Sequence, residues 1–124
     1  MRRRAVVSVF LLLVLVFFSP SNTIPAERIS ICKLMENKDR YDGKEVEVVG
    51  WVVMARQRVS RAGNPYITLT IKDEECAVRV FIWEHHPIKR GDKVRVGGKF
   101  AKVKRVGPYT FFDEIEAYEI KVIK

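Results

Sequence analysis

The sequence predicts an all-β domain: a small closed barrel of five strands behind one short helix. Three observations predict it. Runs of alternating apolar and polar residues recur from Glu45 to Ile123, separated by Gly, Pro, Asn and Asp turn signals. Glycines interrupt two of the runs, Gly50 in the first and Gly97-Gly98 in the fourth, where a missing side chain lets a strand bend and serve two halves of a sheet. Five strands with two such bends bury their edges by closing.

In a chain of 124 residues, residues 1–21 read as a leader outside the fold. Arg2, Arg3 and Arg4 form a positive start, Ala5 to Phe18 is apolar apart from Ser8, and Ser19-Pro20-Ser21 supplies small residues for cleavage. A run of this length gives about 21 Å of helix against a hydrocarbon core of about 30 Å, which favours a cleaved secretory signal over an uncleaved anchor. Either outcome leaves the arginines inside and sends the domain outside, secreted or tethered to the membrane by this segment alone. Residues 22–28, with Pro25 and no periodicity, read as a linker, and residues 29–124 as one domain. Hydrophobic content of 48% and charge of 31%, with a single Gln, indicate a globular chain of thermophile-like composition.

Ser30 is the candidate N-cap of a helix to Asn37, with Ile31, Leu34 and Met35 as its apolar stripe. Tyr41 to Lys44 reads as a turn. The first strand starts at Glu45 with Val46 and Val48 inward, bends at Gly50, leaves the direction of Trp51 open, and dissolves past Met54 into a basic loop, Arg56 to Pro65. The second and third strands form a hairpin. Ile67, Leu69 and Ile71, then Val78, Val80 and Ile82, make its core face; Tyr66, Thr68, Thr70, Arg79, Phe81 and Trp83 make the other. Such an outer face carries more aromatic surface than solvation requires. The fourth strand starts at Val94 and gives way to a second basic loop, Lys102 to Pro108; the fifth runs from Tyr109 to Ile123 with a break near Ala117.

Without Arg2 to Arg4 the chain has 20 basic and 15 acidic residues, a net of +5. Signs are segregated along it. Trp51 to Lys72 and Lys93 to Phe112 contain no acid, whereas Asp113, Glu114, Glu116 and Glu119 cluster, which predicts one basic region and a separate, solvated acidic side.

The pattern Tyr41-Asp42-Gly43-Lys44-x-Val46-x-Val48-x-Gly50-x-Val52, then Tyr66-x-Thr68-Leu69-x-Ile71-x-Asp73, Val78-x-Val80-x-Ile82-Trp83 and Ile88-x-x-Gly91-Asp92-x-Val94-x-Val96-x-Gly98 resembles a nucleic-acid-binding OB-fold. Replication protein A and the anticodon-binding domains of some aminoacyl-tRNA synthetases share such patterns. The chain departs from them in having too little sequence between the third and fourth strands for the customary helix, and in its leader. The resemblance implies a five-stranded Greek-key barrel whose ligand crosses the second and third strands between two loops. Carried over by position, Arg56, Arg58 and Arg61 on one side and Lys102, Lys104 and Arg105 on the other would flank Tyr66, Arg79, Phe81 and Trp83. Cations would track phosphates while rings stack on bases, implying single-stranded nucleic acid held with little sequence preference.

The bland alternatives are that Phe81 and Trp83 pack under the helix or a loop, and that the basic loops are solvated surface. A cell-surface protein or glycan is the alternative partner. Cys32 and Cys76, both exported, form either one disulfide or two buried thiols. His85-His86 has no zinc-ligand spacing, so neither metal nor cofactor is expected. With no phosphate loop, nucleophile elbow or His-Glu-x-x-His, the expectation is a binding module and not an enzyme.

Overall fold

The computed structural model describes residues 26–124; the leader at residues 1–21 and most of the linker lie outside the described residues. Among the described residues six strands form one closed sheet: β1 (Glu27–Arg28), β2 (Glu45–Val59), β3 (Pro65–Lys72), β4 (Ala77–Ile82), β5 (Lys93–Val106) and β6 (Tyr109–Ile123), with α1 (Ile31–Glu36) and α2 (Lys38–Tyr41) between β1 and β2. Strand order is β1-β2-β3-β4-β6-β5, and β2 also pairs with β5 to close the barrel. β2 to β6 are the five strands the sequence predicts. β1 is an addition, two residues from the expected linker that pair in parallel with Val46 and Glu47.

β2 serves both halves of the barrel. Glu45 to Trp51 pair with β5, and Trp51 to Val59 pair with β3, with a bulge at Val53. At the crossover a Cβ on Gly50 would stand 2.9 Å from Ile31 Cδ1 and 3.0 Å from the Lys72 carbonyl oxygen, so glycine is required for close approach, while the bulge itself falls three residues on. The second bend is where expected, with the β5–β6 register shifting between Gly97 and Gly98. A Cβ on Gly98 would lie 2.6 Å from Ala117 Cα.

Alternation fills the barrel. Val46, Val48, Val52, Ile67, Leu69, Ile71, Val78, Val80, Ile82, Val94, Val96, Phe100 and Ile115 are buried together, joined by Ile31 and Leu34 of α1. The helix is held from two sides: the Ser30 hydroxyl oxygen accepts from Lys33 N–H at 3.1 Å, and Asp73 Oδ2 accepts from Ile31 N–H at 2.6 Å. Cys32 and Cys76 form a disulfide, their Cα atoms 4.9 Å apart, tying α1 to the start of β4. The connection from β4 to β5 takes the place of a helix by running along β2: His85 Nε2–H donates to the Arg58 carbonyl oxygen at 2.8 Å, and Gln57 Nε2–H to the His86 carbonyl oxygen at 2.5 Å.

Both expected basic loops are instead strand. Arg56 and Arg58 lie on β2, opposite Thr68 and Tyr66, and only Ser60 to Asn64 form the turn. Lys102, Lys104 and Arg105 lie on β5, which pairs with β6 to Val106–Tyr109 around a tight Gly107-Pro108 turn. Tyr41, expected in a turn, closes the short helix α2 and donates its hydroxyl to Glu27 Oε2 at 2.5 Å.

Candidate nucleic-acid interface

Cross-strand partners in a sheet share a face. Arg56 pairs with Thr68, Thr68 with Phe81, and Phe81 with Glu116, so these four form one row across β2, β3, β4 and β6. Arg58 pairs with Tyr66, whose ring lies 5.7 Å from that of Trp83, making the next row. The register thus delivers two arginines to the aromatic face on rigid strands. Arg61 sits in the turn beyond them.

The aromatic residues form one cluster. Ring centroids are 5.2 Å apart for Tyr66 and Phe81 and 4.9 Å for Phe81 and Trp83, the latter pair edge to face. Trp83 is 51% exposed and follows the end of β4. Phe81, at the centre, is capped: Lys104 Nζ stands 4.8 Å from its centroid. Arg79 lies in the neighbouring row, its guanidinium 5.9 Å from the Phe111 ring of the β5–β6 arm. The open stacking surface is therefore Trp83, with Tyr66 beside it.

Charge is distributed differently from the sequence expectation. Glu114 is buried, with 4% exposure, and lies 3.8 Å from Lys104 Nζ; Glu116 lies 3.5 Å from the same amine. Asp113, the one non-glycine residue with positive φ (52°) among the described residues, is bridged by Lys38 at 2.8 Å. The acids from 113 to 116 do not make a separate solvated side, because β6 runs between β4 and β5 and brings its carboxylates under the basic arm. Burial pushes the Glu114 carboxyl above the usual carboxylate range, against the opposing pull of Lys104 and Arg79.

Lys102 does not join the cluster. Its amine meets Asp39 Oδ1 at 2.6 Å and its backbone N–H donates to Asp42 Oδ1 at 2.9 Å, so it ties the arm to α2. Arg105 is exposed near the arm's tip, opposite Thr110. Among the described residues, no carboxylate lies within salt-bridge distance of Arg56, Arg58, Arg61 or Arg105, leaving four cations for an anionic ligand. Cys32, Cys76 and Asp73 also lie together, but the two sulfurs bond to each other. Sequence reasoning put Glu116 on a solvated acidic side and missed its place beside Phe81, which is set by a parallel β4–β6 pairing that no local pattern encodes.

The closed Greek-key sheet with an aromatic outer hairpin is an OB-fold. It is similar to a domain of replication protein A from Methanococcus maripaludis, with TM-score 0.59 and 20% identity over 79% of this chain and 97% of that one. It is similar also to yeast Stn1 and Ten1, with TM-score 0.62 and 12% identity over 81% of this chain and 64% of that one. Asparaginyl-tRNA synthetase from Pyrococcus horikoshii matches with TM-score 0.56 and 23% identity over 81% of this chain, which spans about a quarter (24%) of the synthetase. No protein-family model and no curated protein matches the chain.

Proposed function

We propose that the chain is an exported, non-catalytic OB-fold module that binds single-stranded nucleic acid or a similar extended polyanion across β3 and β4. The observation that carries this reading is the pair of rows, Arg58–Tyr66–Trp83 and Arg56–Thr68–Phe81, which sets free guanidinium groups beside an open indole. Stacking on a π-face is tolerant of sequence, and each stacked base is worth about 1–3 kcal/mol. The OB-folds of replication protein A and a tRNA synthetase are in keeping with this ligand class. The binding groups lie on strands, and the acids beside them are paired with lysines, an arrangement suited to holding a ligand rather than to proton transfer.

Anisotropy of a labelled oligo(dT) titrated with the full chain at several salt concentrations tests the reading. Four free cations predict a slope of log affinity against log salt of about −3, at about −0.7 per phosphate. Failure to bind at low salt would end the nucleic-acid reading and leave a cell-surface protein or glycan as the partner to seek.

A further inference from the structure

A second outward face, on other rows of the barrel, surrounds Trp51. The register sets Trp51 beside Lys72 on β3 and Lys93 on β5, with Ile123 beyond Lys93; the next row is Val49, Arg95 and Lys121. Trp51 is 50% exposed, Val49 and Val53 are also exposed, and Lys93 Nζ stands 4.7 Å from the indole centroid. Two acids line the hollow beside Val49 and Arg95: Glu47, taken up by Arg28 at 3.3 Å and Arg95 at 3.2 Å, and Asp73, which accepts from Ile31 N–H at 2.6 Å. Among the described residues, Lys72, Lys93 and Lys121 have no carboxylate at salt-bridge distance. An indole and two valines ringed by three free lysines is more apolar surface than a solvated sheet face needs.

We propose that this face lies against an anionic lipid bilayer, with Trp51, Val49 and Val53 at headgroup level and the lysines on lipid phosphates. Indole and lysine are the side chains that partition to the boundary between water and hydrocarbon, and lysines near an anionic leaflet are attracted to it. Connectivity points the same way. The described chain begins at Ala26, which lines a hollow with Glu47, Arg95, Gly97 and Glu119 at the edge of this face. Ahead of it the apolar stretch from Ala5 to Phe18 is the part of the sequence suited to hydrocarbon. In the tethered form, in which the leader stays uncleaved, residues 22–25 reach at most about 14 Å and hold this face close to the bilayer. The Trp83 face, carried by different rows, stays open to its ligand, and the inference stands whether or not that ligand is nucleic acid.

Two full-length single-tryptophan variants, Trp83→Phe and Trp51→Phe, reconstituted into phosphatidylcholine–phosphatidylglycerol vesicles with brominated acyl chains, test the proposal. The expected result is blue-shifted Trp51 emission quenched severalfold more than that of Trp83. Exchanging phosphatidylglycerol for phosphatidylcholine, or combining Lys72→Glu with Lys93→Glu, returns Trp51 to its aqueous spectrum. Equal quenching of the two tryptophans, an aqueous Trp51, or quenching indifferent to lipid charge overturns the proposal. So does loss of the Trp51 quenching on adding oligo(dT), which would make this face a nucleic-acid contact.

Discussion

Replacing Cys32 and Cys76 together by serine opens a loop of sequence separation 44 while leaving Asp73 in place to hold the first turn of α1. In the chain-entropy description, closing a loop of that length removes about 13 cal/mol/K from the unfolded ensemble, or about 4 kcal/mol at room temperature. Against a total stability of about 5–15 kcal/mol for a domain of this size, that is a large share. The assay is urea unfolding of the parent and the Cys32→Ser/Cys76→Ser chain, followed by tryptophan emission. With an m-value near 1.5 kcal/mol/M the midpoint should fall by about 2–3 M. A loss below about 1 kcal/mol would refute loop closure as the source of the stabilisation. Two alkylatable thiols in the unreduced chain would refute the bridge itself.

Gly98→Ala should destabilise by about 2–4 kcal/mol in chemical denaturation, since its Cβ meets Ala117 Cα at 2.6 Å. Gly97→Ala, whose Cβ finds Tyr118 Cε2 at 3.7 Å, should stay within about 1 kcal/mol of the parent. Because burial raises the Glu114 carboxyl, the folded state holds that proton more tightly than the unfolded chain. The group therefore opposes folding at neutral pH and ceases to do so as pH falls through its raised value toward the unfolded one; Glu114→Gln should remove that component from the stability–pH profile measured by thermal melts. Arg58→Ala should weaken oligo(dT) binding and reduce the salt slope by about 0.7, while Lys102→Ala, which loses its contact to Asp39, should leave both unchanged.

The barrel was legible because a closed core imposes period two on every strand that lines it. Ile67, Leu69 and Ile71 against Tyr66, Thr68 and Thr70, and Val78, Val80 and Ile82 against Arg79 and Phe81, divide in the structure as they alternate in the sequence. Beyond the barrel that constraint is absent. Arg56 to Val59 and Lys102 to Val106 pair as strand with no core on either side, so polar strand reads as basic loop. β1 is two residues, too short for a period, and its partner lies 19 positions away. The aromatic face was legible from alternation, but its electrostatics were not. Lys104 over Phe81 and Glu114 beneath Lys104 depend on how the β5–β6 arm leans across β4, and on Asp113 adopting positive φ. Lys102 and Lys104, two apart in sequence, consequently have different neighbours: one serves α2, the other the ring.

The decisive measurement is the emission of the Trp51→Phe chain, in which Trp83 is the remaining tryptophan, titrated with short single-stranded DNA and RNA at low and high salt. Binding on the Trp83 face gives saturable quenching of Trp83 that weakens as salt rises and is lost with Arg56→Ala/Arg58→Ala. An unchanged Trp83 emission at low salt, where the attraction to phosphate is strongest, would contradict it.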